Sequence, residues 1–387
     1  MHVAIIGSGM VGSSIAYECA KAGARVTVFD AGRLGGVASG TSFAWLNATS
    51  KAPKSYFRLN ALGMRAHLEL RREFGATPWH SQTGSLEWRT TDEGRAWQQG
   101  NYEQMRDWGY GIEWISARRL AQMEPDIDLS AIGDAPIVYY PEEGWVDPVP
   151  YSAWLLRAAA ERHGAGLRPH TAIREVVARN NRAVALITTT GERVEADAIV
   201  NATGAGADQG LGMPALPMTS TAGMLGFTPP VPTTLRSQFH VDDLDVRPDG
   251  AGRLMIHKAS VDTGLASTEG VTRDGPEARA LLDATRAVLP LLRDVTLESV
   301  RTTLRPMPRD GFTCIGAMTN TSGYYVAVTH SGVTLAPYLG RALADEIVRD
   351  APHEALAPFT PDRFFLDPSA AGASAELVGV KPVEGPA

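Results

Sequence analysis

The junction between His2-Val3-Ala4-Ile5-Ile6 and Gly7-Ser8-Gly9-Met10-Val11-Gly12 constrains this chain more than any other feature. The apolar run reads as a buried parallel strand, and the stretch from Ser13 to Ala22 beyond the glycines reads as a helix. In that setting Gly7 permits the tight turn, Gly9 lets the backbone approach a pyrophosphate, and Gly12 allows close packing of helix on strand. The first-turn N–H groups, those of Met10 and Val11 among them, then face the phosphates together with the positive end of the helix dipole. A second strand, Arg25-Val26-Thr27-Val28-Phe29, ends in Asp30-Ala31. An acid about 20 residues beyond the glycines can accept hydrogen bonds from ribose hydroxyls and disfavours a 2′-phosphate. The fold class expected is therefore α/β, with a Rossmann-type dinucleotide-binding domain.

With 387 residues, the chain exceeds what one hydrophobic core usually supports, so two domains are expected. A hydrophobic fraction of 44% and a charged fraction of 20% are those of a globular protein. The net charge of −7 gives no reason to expect nucleic acid or an anionic membrane as partner. No apolar run is long enough to span a bilayer, and no basic, apolar leader precedes the first strand, so a cytoplasmic location is expected. Cys19 and Cys314 form neither a disulfide framework nor a metal site by spacing, and packing is their expected role.

Signals of the nucleotide domain return twice. Pro150 to His163 is helical in pattern, Arg174 to Ala178 and Ala183 to Thr188 read as strands joined by an Asn-Asn turn, and Ala196 to Gly206 reads as a buried strand entering a glycine turn. They return again from Gly323 to Val348. The expected division is 1–53, 142–217 and 300–365 for the discontinuous nucleotide-binding domain, and 54–141 with 218–299 for an interleaved α+β substrate domain. Residues 54–141 look helix-rich, while 218–299 include the β-like Gly252 to His257 and a helical Pro276 to Leu289. Residues 366–387 have little to bury and are expected to be a disordered tail. No internal repeat is evident.

Five stretches in this order resemble the D-amino-acid oxidase-like FAD-dependent oxidoreductases, in particular their glycine oxidase and D-amino-acid dehydrogenase branches. They are Gly7 to Gly12 with Asp30; Val37 to Ser42; Gly144-Trp145-Val146-Asp147-Pro148; Ala198 to Gly206; and Leu304 to Gly316 followed by Gly332 to Pro337. The resemblance implies FAD as cofactor. It places the Ser39-Gly40-Thr41-Ser42 turn along the pyrophosphate and flavin, Val176 or Val177 near the adenine, and Thr203-Gly204 close to the FAD backbone. The turn Gly332-Val333-Thr334-Leu335 would set N–H groups by the flavin edge where negative charge accumulates on reduction.

By the same resemblance Arg305 holds the substrate carboxylate, because a planar guanidinium fixes both its position and its rotation. The alternative is a structural ion pair with a nearby acid. His257 and His330 fall where the pocket walls of such enzymes lie, and either could titrate near neutral pH and assist deprotonation of a substrate ammonium. Threonine at 302 and 303 stands where the sarcosine-oxidising branch attaches FAD through cysteine, so the FAD is expected to be non-covalent. Thr334 stands where that branch has a lysine. Trp45 and Met224 border the flavin or the pocket, or simply belong to the core. The implied reaction is transfer of a hydride from Cα of an amine-bearing substrate to flavin N5, giving an imine that hydrolyses. Electrons then pass to oxygen or another carrier, and no metal is needed. Two alternatives stay open: oxidation of a 2-hydroxy acid or a biosynthetic intermediate on the same scaffold, and an NAD-dependent dehydrogenase or non-catalytic nucleotide-binding protein.

Overall fold

The computed structural model describes residues 1–75 and 77–367; the expected tail lies, from residue 368 on, outside the described residues. In chain order the strands are β1 (His2–Ile6), β2 (Arg25–Phe29), β3 (Trp45–Leu46), β4 (His80–Ser81), β5 (Ser85–Trp88), β6 (Glu113–Ile115), β7 (Ile137–Tyr140), β8 (Gly144–Val146), β9 (Gly166–Arg168) and β10 (Ile173–Arg179). They continue with β11 (Arg182–Thr188), β12 (Arg193–Glu195), β13 (Ala198–Asn201), β14 (Thr221–Phe227), β15 (Gln238–Val241), β16 (Leu244–Pro248), β17 (Leu254–Lys258), β18 (Ser299–Arg305), β19 (Cys314–Met318) and β20 (Thr321–Val328). The longer helices are α1 (Met10–Lys21), α2 (Lys54–Phe74), α3 (Asp92–Asp107), α4 (Ala117–Met123), α5 (Pro148–His163), α6 (Ala259–Gly264), α7 (Pro276–Val288) and α8 (Gly332–Arg349).

One sheet runs β10-β11-β20-β13-β1-β2-β9, with β12 and β19 attached to β11 and β20. Its centre is parallel, β1 lying between β13 and β2. Side-chain alternation along β1 divides its apolar residues between two cores: Val3 and Ile5 pack with α1, α5 and α8, while Ala4 and Ile6 pack with Val176, Leu186 and Ile199 on the opposite face. Burial on both faces explains the unbroken apolar run. Asn180 and Asn181 adopt φ of 50° and 58°, the left-handed pair a two-residue hairpin turn requires.

The second sheet runs β18-β14-β17-β16-β15-β5-β7-β6. One face buries Leu86, Trp88, Phe239, Val246 and Ile256 beneath α7. Strand β18 pairs with β14 from Ser299 to Arg305. Residues 300–305 therefore belong to this sheet and not to the nucleotide-binding segment that begins at 300 in the sequence division. No breaker before Pro306 marks the crossing. The stretch 54–141 is helix-rich as expected, with α2, α3 and α4, and it also supplies β5, β6 and β7 to the same sheet. A small third sheet, β3-β8-β4, lies in the chain between them.

Helix α2 packs on α8. A Cβ at Gly63 would lie 2.4 Å from the Thr334 carbonyl oxygen, so the missing side chain is what lets the two helices approach. Both cysteines are buried, and burial pushes each thiol up to about 12, which agrees with a packing role.

Candidate active site

The glycine turn forms where β1 meets α1. Gly7 has a φ of 103°, and a Cβ there would lie 2.4 Å from the Ala202 carbonyl oxygen; one at Gly12 would lie 2.1 Å from the Gly7 carbonyl oxygen. Gly7 thus admits the end of β13, and Gly12 seats the helix on the strand. Gly9 caps α1 without a side-chain bond, and the helix has no acid in its first turn. The Met10 N–H donates to Ser39 Oγ at 3.2 Å, so the segment carrying Ser39 to Ser42 folds over the turn. Asp30 receives the Ser8 N–H at 3.0 Å, the Ser8 hydroxyl at 2.5 Å and the Gly32 N–H at 2.9 Å. A carboxylate with three donors keeps acceptor capacity for another. At the end of β13, Asn201 Oδ1 accepts from the Thr203 N–H and hydroxyl and fixes the backbone before Gly204. Val177 is half-buried on β10, its side opposite to the core-facing Val176.

A second helix start lies beside the first. Strand β20 leads through Thr329-His330-Ser331 into α8, which packs along α1 and likewise has neither a side-chain cap nor a first-turn acid. Helices α1 and α8 both begin at the carboxyl ends of parallel strands, where ligands of such sheets bind. Gly332, Val333 and Thr334 carry first-turn N–H groups that no helical carbonyl satisfies. The Leu335 N–H is bonded to the Ser331 carbonyl at 3.0 Å and its side chain is fully buried, so Leu335 serves packing. The Thr334 hydroxyl is also engaged, with the Trp45 carbonyl and the Asn47 N–H, each at 3.3 Å.

His330 has an exposed side chain between β20 and α8, and Lys51, Arg305 and His257 are near enough to act on it electrostatically. Burial together with the charges of Lys51, Arg305 and His257 pushes its imidazole down to about 3. The sequence reading allowed that His330 could titrate near neutral pH; burial and the neighbouring charges favour its neutral form instead.

The eight-stranded sheet brings further ionisable residues together by strand register. Asp242-Asp243 closes a two-residue hairpin, with Asp242 at a φ of 49°, which sets His240 opposite Asp245. Asp245 in turn is opposite His257, and His240 is beside Glu87. Four adjacent strands thus carry one ionisable residue each in a single row. His240 Nδ1 lies 2.6 Å from one Asp245 oxygen and His257 Nδ1 lies 2.6 Å from the other. Burial alone would raise Asp245, yet the two imidazoles hold its carboxyl well below the usual carboxylate range. His257 Nε2 reaches Asp262 Oδ2 on α6 at 2.7 Å, and Asp262 Oδ1 accepts the Met224 N–H at 2.7 Å.

Arg305 ends β18. Its guanidinium crosses β14 at Gly223, where a Cβ would meet Arg305 Nε at 2.5 Å. Its Nη2 pairs with Asp262 Oδ2 and lies 2.9 Å from His257 Nε2. Arg305, His257 and His330 therefore share one neighbourhood, and Arg305 already has an acid beside it.

Trp45 stacks on His240 with ring centroids 3.9 Å apart, and Phe43 stands at the edges of His240 and His257. Arg247, 1% exposed, donates to the Phe43 carbonyl at 2.7 Å and pairs with Asp147, which gives the Gly144 to Pro148 stretch its place at the site. Met224 belongs to the core on the far face of the sheet. The Trp45 indole N–H donates to Glu143 at 2.8 Å, and Tyr110 donates to the other oxygen at 2.7 Å. Burial pushes the Glu143 carboxyl up to about 8 despite those bonds. The folded protein therefore holds a proton that the unfolded chain releases near 4.5, and the stability this contributes is full below that value and lost as pH rises toward 8. Glu143→Gln should remove the dependence: denaturant unfolding is expected to show wild type losing stability relative to the variant between pH 5 and 8, by on the order of 1.4 kcal/mol per pH unit. Equal pH dependence in both proteins would contradict this.

Sequence reasoning missed Asp245, Asp262, His240, Glu143 and Arg247. Only the Asp242-Asp243 turn signal, which pairs His240 with Asp245, could have exposed part of the row.

Residues 2–346 match the family described as DAO, FAD dependent oxidoreductase. Glycine oxidase from Geobacillus kaustophilus (strain HTA426) is 28% identical over 374 residues, covering 92% of this chain and 96% of its own length. D-amino-acid oxidase from Bradyrhizobium diazoefficiens is 26% identical over 438 residues, covering 94% and 99%. The crystal structure of L-proline dehydrogenase from P. horikoshii aligns with a TM-score of 0.81 at 21% identity, covering 94% of this chain and 97% of that one, a likeness of fold. The residues present fit FAD: two adjoining helix starts whose N-cap residues make no side-chain bond, backbone cleared by Gly7 and Gly12, and an Asp30 carboxylate with acceptor capacity to spare.

Proposed function

Because the chain belongs to the DAO family of FAD-dependent oxidoreductases, we propose that it oxidises the Cα–N bond of an amino acid or secondary amine bearing a carboxylate. The family match sets aside the nicotinamide alternative. The observation that carries the proposal is Arg305, its guanidinium laid over Gly223 and near His330 and His257. Two charge-assisted hydrogen bonds from Arg305 to the carboxylate would fix the substrate's rotation and so aim its Cα–H. Bound FAD supplies the two-electron acceptor for that hydride.

The remaining work falls to the chain. Gly332 and Val333 offer N–H groups at the start of α8, where negative charge is stabilised. His330, pushed down to about 3, holds almost no proton at pH 7, so it serves the amine as an uncharged hydrogen-bond partner and not as a strong base. Trp45 and Phe43 close the wall over His240 and His257 and restrict water. The imine then leaves for hydrolysis, and oxygen or another carrier takes the electrons.

The test is the absorbance of the purified protein, followed without oxygen as D-amino acids, glycine, N-methyl amino acids and 2-hydroxy acids are added. Bleaching of the flavin band by an amine is the expected result, and admitting air then shows whether oxygen restores it. A band that 2-hydroxy acids bleach and amines leave intact would overturn the proposal.

A further inference from the structure

We infer that His67 is a positioning residue for the cofactor: it gives the Val333 carbonyl the hydrogen bond that Pro337 withholds, and so aims the Thr334 N–H at the flavin. The inference rests on the reading that places the flavin edge at the start of α8.

Pro337 lies inside α8, in its second turn. A proline there has no N–H for the carbonyl four residues back, and its ring crowds that carbonyl. In α8 the carbonyl is that of Val333, in the first turn. His67 Nε2 lies 2.8 Å from the Val333 oxygen. A carbonyl oxygen only accepts, so Nε2 carries the proton. Burial, together with His80, pushes the imidazole down to about 3, so the donor is a neutral ring at pH 7.

Helix α2 is shaped for this contact. Gly63 and His67 stand one turn apart on the same face, and both are buried. Gly63 has no side chain to collide with the Thr334 carbonyl, and His67 reaches the Val333 carbonyl beside it.

The bond has a directional consequence. The Val333 carbonyl and the Thr334 N–H belong to one planar peptide unit, so a donor that fixes the first also fixes the second. That N–H is among the first-turn groups with no helical acceptor, where negative charge is stabilised. The Thr334 hydroxyl is held separately by the Trp45 carbonyl and the Asn47 N–H. Without the His67 donor the carbonyl is left unpaired against a proline ring, and the peptide unit turns to relieve it, taking the Thr334 N–H with it.

The test uses the FAD-loaded full chain and reads two flavin properties without substrate: the dissociation constant, from FAD fluorescence released on dilution, and the reduction potential. His67→Leu is expected to weaken FAD binding roughly tenfold and to lower the potential, since reduction adds the negative charge that the N–H groups stabilise. His67→Gln, whose amide keeps an N–H donor at similar reach, should stay within about threefold of wild type. Pro337→Ala gives Val333 a backbone donor, so adding His67→Leu to it should cost less than about threefold. A loss as large as in the wild-type background would overturn the inference. Unfolding midpoints at saturating FAD identify which part fails. A midpoint that falls in His67→Leu while affinity and potential hold would place the flavin edge away from α8; no change in any of the three would refute the bond itself. Either outcome overturns the inference. If His67→Leu does not fold but the double variant folds and holds FAD, the inference is supported; failure of both would overturn it. A wild-type flavin that no amine bleaches would count against the proposed function alone, since neither flavin property is read through turnover.

Discussion

Replacing Arg305 with alanine is expected to lower kcat/KM for carboxylate-bearing substrates by about a thousandfold, roughly 4 kcal/mol, the scale of losing one partner of a desolvated charge pair. FAD should stay bound, because Arg305 ends a strand of the substrate sheet, while the glycine turn and the α1 start lie on the other sheet. Part of the loss comes from Asp262, whose charge would then lie almost buried with His257 as its remaining side-chain partner. Arg305→Lys should recover little, since a point charge cannot make two parallel bonds or lie flat over Gly223. Steady-state kinetics combined with flavin absorbance per mole of protein checks this. Unchanged turnover in Arg305→Ala would remove the carboxylate-anchor role.

Gly12→Ala should have an effect of similar size on a different property. The added Cβ would lie 2.1 Å from the Gly7 carbonyl oxygen, and both atoms sit on backbone that a strand and a helix hold in place. Either α1 lifts from β1 or the turn opens, and each moves the first-turn N–H groups off the pyrophosphate position. Protein purified from this variant should be colourless and about 3 kcal/mol less stable in denaturant unfolding, as for a severe overpacking change. Gly100→Ala is the control, since it lies within α3 with no atom within 4 Å of the added Cβ, and it should gain up to about 1 kcal/mol. A yellow, normally stable Gly12→Ala protein would refute the packing argument.

What could be read beforehand follows the range of the interactions. The β1-turn-α1 unit, the Asn180-Asn181 hairpin and α7 rest on local period and local breakers, and each lies within a few residues of its expected place. Helix α5 starts two residues earlier than the pattern suggests, because Pro148 suits a first helical turn whose N–H has no partner anyway. Strand β5 escaped notice because Glu87 interrupts its apolar pattern, and only the fold supplies the Tyr140 and Arg89 partners that allow that acid to be buried. The row from Glu87 to His257 is a property of register between strands far apart in sequence. Arg305 could be picked out by its motif, yet its pairing with Asp262 depends on α6 arriving beside β14.

Thr334 has a consequence for how such a pocket changes over time. Its single hydroxyl joins the first turn of α8 to the strand that carries Trp45, so the wall against His240 and the helix end beside the cofactor position form one mechanical piece. If substrate and flavin sit as proposed, a change that enlarges the Trp45 side for a bulkier substrate would also shift the dipole end beside the flavin. Substrate size and redox tuning would then be inherited together, and separating them would call for a substitution at Thr334 first.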